Sequence, residues 1–173
     1  MAQPTTLVTL RGNPVNVSGT LPALGQAAPD FRLTGLDLKD VTKADVAGKP
    51  VVLNIFPSVD TAVCAASVRR FNAEIGKVDG AVCLCISRDL PFALKRFCGA
   101  EGLDHVRPLS ELRDLSFGQA YGVRLLDSGM AGLLARSVVI LDREGKVAYS
   151  QLVPEISQEP DYAAALDALA KIA

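Results

Sequence analysis

The stretch Val51-Val52-Leu53-Asn54-Ile55-Phe56 is an apolar, β-branched run stopped by Pro57, after which Cys64, Val68, Phe71 and Ile75 recur at helical spacing. A short run bounded in this way reads as a strand buried on both faces. The change to a 3.6-residue period reads as a helix laid over it. The pattern then repeats. Residues 81–87 form a second buried run, followed by Asp89, a residue suited to cap a helix, and by Leu90, Leu94, Phe97 and Cys98 at helical spacing before Gly99 and Gly102. Strand, helix, strand, helix is the pattern of a parallel sheet covered by helices, so the expected class is α/β.

The flanking segments are read the same way. Residues 6–10 and 15–18, around Arg11-Gly12-Asn13-Pro14, predict an N-terminal hairpin within about 1–20, because glycine and asparagine tolerate positive φ. Residues 31–40 give two short extended pieces broken at Gly35. Residues 104–109 predict a strand, 113–121 a helix ending at Gly122, and 133–141 and 147–153 a hairpin around Asp142-Arg143-Glu144-Gly145. Residues 161–173, with Tyr162, Ala165, Leu166 and Leu169 on one face, predict an amphipathic helix. No internal repeat is present, and at 173 residues the chain is expected to form one domain, 1–173.

A formal net charge of -1 with interspersed signs offers no basic stripe for nucleic acid and no polybasic anchor for lipid. The N-terminus lacks a signal-like charged and apolar pair of regions, and no stretch approaches membrane-span length, so a reducing cytoplasm is the expected compartment. Cys64, Cys83, Cys85 and Cys98 form no CxxC pair and His105 is the only histidine, so no metal site and no cofactor are expected. A purely structural disulfide framework does not suit such a chain, which leaves catalysis or redox sensing for any reactive cysteine.

Cys64 is the candidate nucleophile because it falls in the first turn of a helix directly after a buried strand. Free N–H groups and the helix dipole favour an anion there. A thiol of pKa ~8.5 is only about 3% thiolate at pH 7, and a downward shift of roughly two units brings it to about three-quarters. Taken alone, Cys64 also fits a small buried core residue. The Thr61 hydroxyl can exchange a hydrogen bond with a substrate, and Pro57 can shield the sulfur or merely end the strand. Arg136 stands in the apolar run Gly132-Leu133-Leu134-Ala135-Arg136-Ser137-Val138. It is either a buried cation in need of an anionic partner, such as a thiolate, or an exposed residue at the strand's beginning. Cys98 lies on its helix's apolar stripe. Cys83 and Cys85, roughly 6.5 Å apart along one strand face, are expected to be buried and inert, and His105 to lie at the surface.

Residues 54–64, Asn-Ile-Phe-Pro-Ser-Val-Asp-Thr-Ala-Val-Cys, resemble the active-site signature of the bacterial thiol peroxidases, atypical two-cysteine peroxiredoxins. The resemblance continues through Cys85-Ile86-Ser87-Arg88-Asp89-Leu90-Pro91-Phe92-Ala93, Arg96-Phe97-Cys98-Gly99 and Ala135-Arg136-Ser137-Val138. It implies a thioredoxin-like fold, with a central mixed sheet flanked by helices and an N-terminal hairpin, and a homodimer. It also implies reduction of hydrogen peroxide and organic hydroperoxides with electrons from thioredoxin. By the same resemblance Cys64 is the peroxidatic and Cys98 the resolving cysteine, joined in an intramolecular disulfide, while Pro57, Thr61 and Arg136 complete the peroxide site. Two other readings are a thioredoxin-type oxidoreductase, which needs a CxxC pair where position 61 is threonine, and a catalytically silent binding module of the same fold. Since Cys64 and Cys98 start on separate helices, a disulfide between them requires local unwinding.

Overall fold

A computed structural model describes residues 5–173; the first four residues of the expected hairpin range lie outside the described residues. The hairpin pairs β1 (Thr6–Leu10) with β2 (Asn13–Val17). The other strands are β3 (Arg32–Thr34), β4 (Asp40–Thr42), β5 (Val51–Ile55), β6 (Val82–Ser87), β7 (Val106–Ser110), β8 (Ser137–Leu141) and β9 (Val147–Leu152). They form one sheet in the order β4-β3-β7-β6-β5-β8-β9. β5, β6 and β7 run parallel, while β8 is antiparallel to β5. The helices are α1 (Ala62–Ile75), α2 (Pro91–Glu101), α3 (Ser116–Ala120) and α4 (Tyr162–Ile172), with a 3-10 turn at Lys43–Val46. A mixed sheet flanked by helices, with a separate hairpin before it, is the arrangement that the family resemblance implies.

Side-chain alternation along the strands splits the core. Leu53 and Ile55 of β5, with Leu84 and Ile86 of β6, join Phe117 and Tyr121 on one face of the sheet. Val52, Cys83 and Cys85 face the other way, against Cys64, Val68 and Phe71 of α1, Leu94 of α2 and Leu169 of α4. The four inward leucines and isoleucines of β5 and β6 are 0% exposed. Truncating any one of them to alanine is expected to cost about 2–5 kcal/mol. The hairpin packs Val8, Val15 and Val17 against Leu125, Ala135 and Ile156. It is pinned by the Thr9 amide donating to the Pro154 carbonyl and the Ile156 amide donating to the Thr9 carbonyl, both at 2.8 Å.

Three local expectations are corrected. The helix expected at 113–121 covers only Ser116–Ala120, because the Asp114 carboxylate accepts from the Ser116 amide at 3.0 Å and holds the preceding residues in a turn. The strand expected from 133 starts at Ser137. Residues 132–135 spend their backbone groups on 123–125 instead, as in the Ala135 amide donating to the Val123 carbonyl at 2.7 Å. Asp89 does not cap α2: Pro91 takes the first helical turn, Leu90 becomes the cap residue, and Asp89 is left free for other partners. Asp161, by contrast, caps α4 by accepting from the Ala164 amide at 3.0 Å.

Candidate active site

Two strand ends meet at the site. β5 and β8 are paired with Ile55 opposite Ser137, so the residues leaving β5 lie beside the residue entering β8. Past Ile55 the chain runs through buried Phe56 and Pro57 to Thr61, the cap residue of α1, and Cys64 follows in the first turn. Arg136 sits immediately before β8. Its Nη2 donates to Cys64 Sγ at 3.3 Å and its Nε to the Ile156 carbonyl at 2.9 Å. Cys64 is 0% and Arg136 2% exposed, which decides between the two readings of Arg136 in favour of the buried cation. Its Nη1 is buried with no partner among the described residues, a donor left over after the sulfur and the carbonyl are served.

Thr61 is exposed, and its hydroxyl donates to the Ser58 carbonyl at 3.1 Å, which leaves the oxygen free to accept. Pro57, Thr61 and Arg136 line one cavity of about 270 Å3, so the fold brings these three together, and Arg136 among them reaches the sulfur. A further cavity of about 210 Å3 lies between the 3-10 turn and the β8–β9 turn, lined by Lys43, Val46 and Leu141; it presents no thiol or histidine. His105 is at the surface, 3.7 Å from Asp104.

The loop that carries Thr61 is held from α2's side by Asp89. The Asp89 carboxylate accepts from Ser58 Oγ at 2.7 Å, from the Val59 amide at 2.8 Å and from Ser87 Oγ at 2.7 Å. Its own carbonyl accepts from Ser110 Oγ at 2.5 Å. One half-buried carboxylate thus fixes the approach to α1, and charge-assisted bonds of this kind are the stronger class. Sequence reasoning assigned Asp89 to a helix cap. Pro91 two residues on was the available signal that the helix begins too late for that.

Cys98 is buried on α2 and unbonded to any other cysteine. Burial, then repulsion from Cys85 and Glu101, pushes its thiol up to about 11. α2 is fastened to α1, the helix that carries Cys64, by a charged contact. Arg69 of α1 grips Glu101 of α2 through Nε at 2.6 Å and Nη2 at 2.7 Å, and its guanidinium lies over Phe97 at 5.7 Å. Cys64 and Cys98 thus sit on two helices locked together by this contact, each buried and free. No bond joins the two sulfurs. Cys83 and Cys85 are buried under the same helices; burial, then its bond to Cys85, pushes the Cys83 thiol well up. Asn54 Nδ2 reaches Ser67 Oγ at 3.2 Å and Cys85 Sγ at 3.7 Å.

Residues 23–166 match the Redoxin family. The thiol peroxidase of Mycobacterium tuberculosis (strain ATCC 25618 / H37Rv) is 59% identical over 162 residues, covering 94% of this chain and 97% of that protein. The thiol peroxidase of Corynebacterium glutamicum is 53% identical over 159 residues, covering 92% and 96%. The crystal structure of a peroxiredoxin-like protein from Aquifex aeolicus superposes with a TM-score of 0.92 at 35% identity, over 98% of this chain and 99% of that one. With its strand-to-helix cysteine, a mixed sheet and relatives matched over nearly their whole length, the chain belongs to the redoxin family, among its bacterial thiol peroxidases.

Proposed function

We propose that this thiol peroxidase reduces hydroperoxides at Cys64 and resets through Cys98. The observation that carries the reading is the 3.3 Å bond from Arg136 Nη2 to Cys64 Sγ, with Nη1 left as a spare donor beside it. Cys64, as thiolate, attacks the terminal oxygen of ROOH. The O–O bond breaks, the departing RO⁻ takes a proton to leave as ROH, and Cys64 becomes a sulfenic acid. Nη1 donates to the peroxide during this step, Thr61 Oγ1 accepts from it, and Pro57 keeps the backbone dry. Cys98 then loses its proton and attacks the sulfenic sulfur, hydroxide leaves as water, and a Cys64–Cys98 disulfide forms. A dithiol of the thioredoxin class takes over the disulfide by exchange.

The burial of two unbonded thiols on separate helices supports a cycle in which the two helices loosen around the cysteines before the disulfide closes, since bridged Cα atoms must come within about 7 Å. The family resemblance supports hydrogen peroxide and organic hydroperoxides as substrates, a homodimer, a single 1–173 domain and a cytoplasmic setting. Among the described residues no helix is long and apolar enough to cross a membrane.

The test is peroxide consumption with thioredoxin and its reductase, together with mass mapping of the oxidised protein. Cys64→Ser is expected to abolish turnover. Cys98→Ser is expected to stop at one equivalent of peroxide with a sulfenic acid on Cys64. Full turnover by Cys64→Ser, or an oxidised product without a 64–98 bridge, would refute the reading.

A further inference from the structure

The hairpin's two-residue turn is occupied by Arg11 and Gly12, between Leu10 and its partner Asn13. Both central residues are left-handed, with φ of 51° and 80°. This is the geometry of a type I′ turn, which favours asparagine, aspartate or glycine at its first position and strains an arginine. The strain is held in place. The Glu155 carboxylate accepts from the Arg11 amide at 2.9 Å, the Gly12 amide at 3.0 Å and Thr9 Oγ1 at 2.8 Å. It also accepts from the Ser157 amide at 3.1 Å and Ser157 Oγ at 2.6 Å. The turn is thus clamped one residue away from Ile156, whose carbonyl holds Arg136 Nε.

The clamp places Arg11 on the wall of the cavity that Pro57, Thr61 and Arg136 line, together with Leu10, Met130 and Ile156. At about 270 Å3 the cavity is several times the roughly 30 Å3 share of a water molecule, more room than hydrogen peroxide needs. Its Leu10, Met130 and Ile156 wall suits an alkyl chain. The Arg11 guanidinium makes no ion pair among the described residues. Glu155, which accepts from the Arg11 backbone amide, spends its oxygens on amides and hydroxyls. A cation is therefore left at a largely apolar cavity that is also lined by Arg136, the residue bonded to the Cys64 sulfur.

We propose that Arg11 is a specificity residue that binds the carboxylate of an amphipathic substrate, so that the preferred organic hydroperoxide carries an acid group beyond its alkyl chain. The proposal rests on the peroxidase reading above. The peroxide group sits at Cys64 and Arg136, the alkyl chain runs along Leu10, Met130 and Ile156, and the carboxylate pairs with Arg11. The charged end thus selects among substrates without touching the bond that breaks.

The experiment compares the hydroperoxide of a long-chain free fatty acid with that of its methyl ester, both below micelle-forming concentrations. Wild type is set against Arg11→Asn, which suits the turn better than arginine, and against Arg11→Lys. The wild-type kcat/KM for the acid is expected to exceed that for the ester by roughly five- to tenfold, mainly through KM, and the excess to shrink with salt. Arg11→Asn should bring the acid-to-ester ratio to about one, and Arg11→Lys should keep part of it. A wild type without preference, or an Arg11→Asn variant that keeps the preference, would overturn the proposal. Failure of the wild type to consume hydrogen peroxide would instead overturn the peroxidase reading itself.

Discussion

Cys64 and Cys98 begin from the same architectural address, a buried position on a helix that follows a parallel strand, and their surroundings then diverge. Cys64 lies in the first turn of α1 with a guanidinium 3.3 Å from its sulfur. Cys98 lies in the second half of α2, with burial and its neighbours Cys85 and Glu101 all disfavouring its anion. In the proposed cycle one thiol is used in the folded state, and the other is stored. This difference orders the events: peroxide is met by a prepared sulfur, and the second sulfur becomes reactive only when movement returns it to water.

The largest effect that would break this contrast is at Arg136. Arg136→Gln keeps a polar side chain but removes the cation and most of its N–H donors, and the oxidation of Cys64 is expected to slow by a factor of about 10²–10³ in competition assays against a second peroxidase. An unchanged rate would mean that the guanidinium is a packing feature. Folding will also suffer, so Arg136→Lys, which keeps the charge and loses the Ile156 bond, should fall between the two.

Next in size is the titration of Cys98, followed by the Cβ carbon shift of that residue in Cys64→Ser protein. With its thiol raised from 9.0 to about 11, the ratio of thiolate to thiol is about a hundredfold lower at any pH than for an ordinary cysteine. In the unfolded chain the proton leaves near 9, so above that pH the unfolded state binds fewer protons than the folded one. The contribution to stability is accordingly intact below pH 9 and lost as pH rises through about 11. A midpoint near 9 in the folded protein would show that burial does not hold the Cys98 thiol back.

Smallest is Asp89, which braces the loop before α1 from the segment that leads into α2. Asp89→Asn places an amide donor among donors from Ser58, Val59 and Ser87, with an expected cost of about 1–3 kcal/mol in thermal unfolding. The loosened loop is expected to lower Cys64 oxidation about tenfold. A variant that is destabilised with an unchanged oxidation rate would show that the brace serves the fold alone.

The unit that carries Cys64 was legible because both its signals are local: a buried run of six residues and a helical period after it, with Pro57 between. The hairpin was legible from Gly12 and Asn13 for the same reason. Arg136 was not decidable, since its burial depends on the pairing of Ile55 with Ser137, a contact between residues far apart in the chain. How α1 meets α2 was equally out of reach, because it rests on contacts such as that of Arg69 with Glu101 and Phe97 across two helices. At Asp89 and at 113–116 the errors have a common origin. A short acid can serve a helix start or a neighbouring turn with the same atoms, and only the partners it finds in three dimensions decide between them.

The meeting of Cys64 and Arg136 depends on strand register, and this sets where the chain can change length. Residues 142–146 join β8 to β9 outside the pairing with β5, so an insertion there leaves the pair in place. A single deletion inside Ser137–Leu141 would slide the strand by one residue and turn its side chains to the opposite face. The arginine would then leave the sulfur although neither residue had been altered. Among related chains, gains and losses of residues should therefore gather in that turn and spare the five positions of β8.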